Sequence, residues 1–297
     1  MYSGIYAGSD KIKSVFLGSD ELYKSEYTRA VVRRIAGIST TRLSAYVDMG
    51  DYMMMIAREG VYKLTRNTTE IELIATPDVT GIQSDHKVGQ AWRRGTNEII
   101  VMFNDSDGYI FAILDMTSWT YTKHSNILSD SDTGTQPTGC YDATKDLVYF
   151  WKSNKLRTWN PKTNAFTENS AKTTYQHKLF IDVDGSLRTF KWHQTDNAQI
   201  YNVVNGVETE AYTIDASEWA DEYAGHNRGF VPNEKGLAYQ LTTDNVIEFN
   251  LNTRTSKAYP LSTTGVYNGG AWGMCTKQGF LAVNVQNSTD LYLFVLE

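Results

Sequence analysis

The chain has 297 residues, 41% of them hydrophobic and 12% aromatic, the composition of an ordinary soluble globule with a full core rather than of a disordered chain. A formal net charge of -6 and a pI near 5.5 argue against nucleic acid as a partner, since phosphate binding needs a basic face. No apolar run approaches the ~20 residues of a membrane-spanning helix, so no membrane insertion is expected.

Residues 1–28 stand apart from the rest. Their beginning, MYSGIYAGSDKIK, has no apolar core of a signal peptide, so synthesis and folding in the cytoplasm are expected. Tyr6-Ala7-Gly8-Ser9-Asp10-Lys11-Ile12 and Phe16-Leu17-Gly18-Ser19-Asp20-Glu21-Leu22 align at a spacing of about ten. Each has an apolar start, a Gly-Ser-Asp turn and a return to an apolar residue, the pattern of two short hairpins. A segment this small cannot bury enough surface alone and must lean on the following domain or on another chain.

The stretch GSDKIKSVFLGSDELY, residues 8–23, resembles the short N-terminal segment of many bacteriophage tail, baseplate and fibre proteins. That segment reads roughly Lys-Ile, two residues, Val-Tyr-Leu-Gly-Ser, two residues, then Val or Leu followed by Tyr or Trp; Phe16 stands here where Tyr is commoner. The resemblance implies a structural protein of the virion, assembled in the host cytoplasm and oligomeric in the phage tail. It also implies an attachment segment that docks to other tail or baseplate proteins through Ile5, Tyr6, Ile12, Val15, Phe16, Leu17, Leu22 and Tyr23. The competing reading is a hairpin belonging to the domain that follows.

Six similar units occupy residues 29–297. Apolar runs begin near residues 52, 99, 147, 187, 237 and 280, at a mean spacing of roughly 45 residues, and each turns through polar residues into a second strand. Leu147-Val148-Tyr149-Phe150-Trp151, then Leu156-Arg157-Thr158-Trp159, then Ala165-Phe166-Thr167 is the clearest case. The turn before the third strand recurs as Asp115-Met116-Thr117-Ser118-Trp119, Asn160-Pro161-Lys162-Thr163-Asn164 and Asn250-Leu251-Asn252-Thr253-Arg254, with Asp or Asn first to cap the turn. The period predicts an all-β fold: a six-bladed, kelch-like β-propeller of four-stranded antiparallel blades with a small N-terminal β-hairpin attachment segment. The sixth unit ends with the chain after its third strand. Arg29 to Ile35 should therefore supply the missing outer strand, with Val31, Val32 and Ile35 as the packing residues.

Loops that enter each inner strand, and those between second and third strands, gather on one propeller face, where binding residues can vary without cost to the core. There the sequence places Trp219, Tyr223 and His226, then His193, Asp196 and Asn197, and Asp105 and Asp107. Aromatics beside amides and carboxylates suit a saccharide, with stacking on a ring face and hydrogen bonds to hydroxyls; edge-capping and solvated turns are the plainer reading. No catalytic residues, metal site or cofactor are indicated. The five histidines show no zinc spacing, Asn104-Asp105-Ser106-Asp107-Gly108 and Asp182-Val183-Asp184-Gly185 read as hairpin turns rather than calcium loops, and no nucleophile elbow or phosphate loop occurs. Cys140 and Cys275 fall in distant units, so a disulfide between them is not expected.

The expected function is a non-enzymatic tail, baseplate or fibre component. It docks through its N-terminus and presents a propeller to a host cell-surface glycan. A sialidase-like or other glycoside-cleaving propeller, a purely structural tail part and a kelch-like interaction domain are the alternatives. The dispersed arginines Arg58, Arg93, Arg94, Arg157, Arg188, Arg228 and Arg254 lean towards binding.

Overall fold

The computed structural model describes residues 6–7, 10–11, 14–17, 20–24, 27–35, 45–57, 60–65, 70–78, 87–105, 108–124, 139–152, 155–169, 178–192, 197–217, 230–233, 235–263, 271–275, 280–285 and 290–297. At the N-terminus β1 (Tyr6–Ala7) pairs with β2 (Asp10–Lys11), and β3 (Ser14–Leu17) with β4 (Asp20–Lys24). These are the two hairpins expected from the ten-residue repeat, with Gly8-Ser9 and Gly18-Ser19 between their strands. Among the described residues neither hairpin joins another sheet.

After β5 (Ala30–Ile35) the chain runs through consecutive antiparallel meanders. The first is β6 (Ala45–Asp48), β7 (Met53–Ala57), β8 (Gly60–Leu64) and β9 (Glu72–Ala75); the second is β10 (Lys87–Arg94), β11 (Glu98–Asp105), β12 (Gly108–Asp115) and β13 (Thr120–His124). The third comprises β14 (Gly139–Asp142), β15 (Leu147–Lys152), β16 (Lys155–Asn160) and β17 (Ala165–Glu168). The fourth comprises β18 (Lys178–Ile181), β19 (Leu187–Lys191), β20 (Ala198–Val204) and β21 (Val207–Ile214). A three-stranded sheet follows, β22 (Leu237–Leu241), β23 (Asn245–Asn250) and β24 (Thr255–Pro260). The last is β25 (Ala271–Cys275), β26 (Phe280–Val285) and β27 (Leu291–Leu296), with β5 as its fourth strand. The chain is an all-β β-propeller of four-stranded antiparallel blades.

Four strands are expected in every unit. Among the described residues five sheets have four strands, and β22–β24 has three. Residues 230–233 precede β22 and carry Pro232, which has no N–H to give to a ladder. Phe230 nevertheless anchors this stretch, stacked on Phe190 at 4.0 Å and edge-on to Phe180 at 5.0 Å.

The apolar pattern follows from the position of each strand within its blade. Second strands are covered on both faces by neighbouring sheets, so β7 is buried along its whole length and Ile99–Phe103 of β11 are buried as well. Outer strands face water and alternate polar with half-buried residues, as in β17 and β13. Clusters of buried side chains join each sheet to the next. Phe111, Phe150 and Trp159 lie between the second and third blades, with Phe111 stacked on Trp159 at 4.6 Å. Phe190, Ile200, Phe230 and Phe249 fill the junction that follows the fourth blade.

The outer turns show why Asp or Asn leads them. Asp115 Oδ1 accepts the Thr117 and Ser118 N–H groups at 2.7 and 2.8 Å, Asn160 Oδ1 those of Lys162 and Thr163 at 2.9 and 3.1 Å, and Asn250 Oδ1 those of Asn252 and Thr253 at 3.0 Å each. The fifth residue of each turn, Trp119, Asn164 or Arg254, is left-handed at φ 55, 55 and 59°. The fourth blade departs from this. Asn205-Gly206, both at positive φ (51 and 78°), make a two-residue hairpin turn in its place.

The N-terminal closing strand is present as expected. β5 pairs antiparallel with β27, Ile35 opposite Leu291 through Ala30 opposite Leu296. Ala30 and Ile35 are its buried residues, whereas Val31 and Val32 are only half-buried. Thr28 N–H donates to Glu297 O at 2.8 Å, Glu297 N–H to Arg29 O at 2.9 Å, and Tyr27 packs edge-on against Tyr259 at 6.2 Å. Ser262 N–H donates to Ala30 O at 2.8 Å, so the closing strand also touches the three-stranded sheet.

Candidate functional site

The innermost strands β6, β10, β14 and β18 are each paired on one side only, which turns their other edge to the propeller axis. Asp48, Asp142 and Asp182 end three of these strands or follow directly, and Asn233 stands at the same place before β22. Each fastens its own turn. Asp48 Oδ1 accepts Gly50 N–H at 2.8 Å, Asp142 Oδ1 accepts Thr144 and Lys145 N–H at 3.0 and 3.1 Å, and Asn233 Oδ1 accepts Lys235 and Leu237 N–H at 2.9 Å each. Asp182 pairs with Arg188 at 2.7 Å; burial pushes its carboxyl up, against the Val183 N–H bond and the Arg188 charge, which pull it down.

Between these strands lies a cavity of about 680 Å³ that opens among the turns. Gln90, Ala91 and Trp92 of β10, Gly139, Cys140 and Tyr141 of β14, Leu179, Phe180 and Ile181 of β18, and Phe230, Val231 and Pro232 line it together with Val47 of β6. The charged groups at its mouth are engaged. Lys145 Nζ meets Asp142 Oδ2 at 2.8 Å, and Arg93 donates from Nε to Gly95 O at 3.1 Å and from Nη1 to Met49 O at 3.4 Å. Burial raises the Cys140 thiol far above its ordinary range, with Asp142 adding to the effect, so no thiolate nucleophile stands here. Among the described residues no group of three or more His, Cys, Asp or Glu is placed to hold a metal ion. The inner wall is thus largely apolar, with the buried amide of Gln90 among it and Asp48, Arg93 and Asp142 towards the turns.

A second polar feature lies where β18 begins. Lys178 donates from Nζ to Oε1 of Gln240 across the junction with the three-stranded sheet, and its ammonium lies 5.7 Å from the Phe190 ring centre. Burial lowers the Lys178 amine to about 7.

Of the residues expected to bind a ligand, Trp219, Tyr223, His226, His193 and Asp196 lie outside the described residues. Asn197 is exposed, and its Oδ1 accepts Ala216 N–H at 3.4 Å, fastening the two ends of the β20–β21 hairpin. Of the expected docking residues, Ile5 and Ile12 lie outside the described residues. The backbone places Tyr6 in β1, Val15, Phe16 and Leu17 in β3, and Leu22 and Tyr23 in β4, with Val15 opposite Tyr23. Asp182-Val183-Asp184-Gly185 forms a tight turn, Gly185 N–H to Asp182 O at 2.9 Å. Gln90, Gly139 and Lys178 were not singled out from the sequence. The available signal was Gly89-Gln90, a glycine and an amide inside a strand, which marks a bulge.

No family model matches the chain, and no curated protein matches it. Solved structures do. A Bacteroides thetaiotaomicron protein of unknown function is 12% identical, with 93% of this chain and 71% of that one covered at a TM-score of 0.55. A gluconolactonase from Xanthomonas campestris is 9% identical over 92% and 99% of the two chains at 0.54. Regucalcin from Agrobacterium tumefaciens, a calcium-binding protein, is 9% identical over 91% and 94% at 0.51. At such identities the likeness is one of fold, and it agrees with the sheet topology.

Proposed function

We propose that this chain is a structural component of a phage tail, baseplate or fibre that docks through residues 1–26 and presents its propeller to a host-surface glycan. The observation that carries the reading is the pair of tandem hairpins β1–β2 and β3–β4. They stand ahead of the closing strand, share no sheet with the blades among the described residues, and fall within the attachment-type sequence. Tyr27 and Thr28 contact the propeller, which supports a boundary just before them rather than after residue 28. The propeller itself is read as six-bladed. β22–β24 is the fifth blade in chain order, and residues 230–232, which line the same cavity as the inner strands, are read as its innermost segment. The reading is non-enzymatic, in keeping with acids at the cavity mouth that are tied into turns. In the virion the protein is oligomeric, with neighbouring tail or baseplate proteins as partners.

The test compares the full-length protein with one lacking residues 1–26, each mixed with host cell-envelope preparations and with virions lacking this protein. Envelope binding by both forms and virion binding by the full-length form alone is the expected result. Virion binding that survives the truncation would overturn the docking role. Loss of envelope binding in both forms would leave a structural tail part, and release of saccharide fragments during incubation would make the propeller an enzyme.

A further inference from the structure

Gln90 is the one residue lining the cavity that combines a bulge, burial and an unanswered hydrogen-bonding atom. In β10 Val88 lies opposite Phe103 and Gln90 opposite Met102, so Gly89 is the extra residue of a β-bulge. Bulges re-aim the side chain that follows them and are concentrated next to binding sites. Gln90 is only 7% exposed, yet among the described residues its Oε1 has no hydrogen-bond partner. Leaving a buried acceptor unpaired costs stability, and native proteins rarely tolerate it without a reason. Gly139 of the next blade packs against that oxygen with no side chain between them. A Cβ there would stand 3.2 Å from Gln90 Oε1 and 2.8 Å from Tyr149 O.

We infer that the cavity is a binding site for a small neutral polyhydroxylated molecule, a mono- or disaccharide or a polyol, with the Gln90 side-chain amide turning about its last bond to hydrogen-bond one of its hydroxyls. The inference rests on the reading of the propeller as the glycan-binding part and moves the site from the outer loops to the channel. Neutrality follows from the mouth, where Asp142 and Arg93 are already engaged. Hydroxyls follow from the walls. The free edges of the inner strands present alternating N–H and C=O groups, and a hydroxyl is the group that can both donate and accept. Trp92 and Phe230 add apolar surface against which the C–H face of a ring can pack. A cavity of about 680 Å³ lies within the ordinary range for small-molecule sites.

The test titrates the full-length protein with glucose, galactose, mannose, N-acetylglucosamine and their common disaccharides. Tryptophan fluorescence and calorimetry are read, with sialic acid as the anionic control. At least one neutral sugar is expected to bind saturably. Gln90→Leu should weaken that sugar about tenfold or more, with a melting temperature equal to or above that of the wild type because the unpaired acceptor is gone. Gly139→Ala should also lose binding, and if it fails to fold, Gln90→Leu still decides. No binding by any neutral sugar, or a Gln90→Leu affinity within about twofold of wild type, would overturn the inference. Envelope binding is measured in parallel. If it persists in Gln90→Leu, the channel assignment fails and the wider glycan reading stands; if the wild type itself lacks it, the wider reading fails on its own.

Discussion

Arg94, the last residue of β10, holds Asp146 in the first turn of the next blade through two hydrogen bonds, Nε to Oδ1 at 2.8 Å and Nη2 to Oδ2 at 2.6 Å. Its remaining Nη1 donates to Glu98 at 2.7 Å, and Tyr141 OH donates to Asp146 Oδ1 at 2.8 Å. Asp146 is left-handed at φ 53°, so the strap fixes both a strained turn and a blade junction. The hydrogen bonds from Arg94 lower the Asp146 carboxyl, against the opposite pull of burial.

Asp146→Asn should cost about 1–2 kcal/mol at neutral pH, the range of a charge-assisted pair that is not fully buried. A lowered folded-state value means that this stability is complete above the unfolded carboxylate value of about 3.9 and is lost as pH falls through the folded one. Urea unfolding of the two proteins should therefore show a gap at pH 7 that narrows at about pH 3. A gap independent of pH would assign the effect to packing instead.

The ring is closed by pairing its two ends, so cutting on either side of Tyr27 should have opposite consequences. Removing residues 1–26 leaves every β5–β27 contact in place, and the melting transition should stay where it is. Removing residues 29–36 exposes the edge of β27 and uncovers Leu293 and Val295, which are buried at the junction with the first blade. The expected result is a broad, lowered transition or insoluble protein. A sharp transition at the wild-type temperature after the second deletion would show that the blades hold the ring closed without the shared sheet.

Asn164 carries two roles that pull in opposite directions. Its φ of 55° favours glycine, yet its Oδ1 accepts the Trp159 indole N–H at 3.0 Å, and Trp159 is fully buried. Asn164→Gly relieves the backbone by roughly 0.5–1 kcal/mol but leaves a buried donor unpaired at roughly 1–3 kcal/mol. The sum should be a loss of about 1 kcal/mol, and Asn164→Asp, which keeps the acceptor, should recover most of it. Denaturant midpoints check both. An Asn164→Gly protein more stable than wild type would mean that the indole finds another acceptor.

Much of this fold could be read in the residues because second strands such as β7 and β11 are buried on both faces and so form long apolar runs. Met53–Ala57, Ile99–Phe103 and Leu147–Trp151 announce themselves, as do the Asp- and Asn-led turns. The inner strands do not. Gly139–Asp142 and Lys178–Ile181 are four residues each, too short for a period to appear, and the place before β22 is taken by a stretch whose Pro232 keeps it out of the ladder. The cavity was illegible for a related reason. Gln90 is chemically unremarked in its own strand and becomes unusual only when Gly139, about fifty residues away, is brought against it by the stacking of blades.

Lys178 is the residue whose ionisation should be visible in the stability of the whole propeller. Its amine meets a neutral amide across the junction after the fourth blade, and burial brings it down to about 7. In the unfolded chain a lysine titrates near 10.4. Between those values the unfolded state binds one more proton than the folded state. The burial cost is therefore complete below about pH 7 and is relieved as pH rises towards 10. The melting temperature of the wild type should climb by a few degrees from about pH 7 to about pH 9.5. Lys178→Met, which fills the same space without a charge, should start higher and lose this slope. Parallel curves for the two proteins would show that the Lys178 ammonium stays solvated in the folded state.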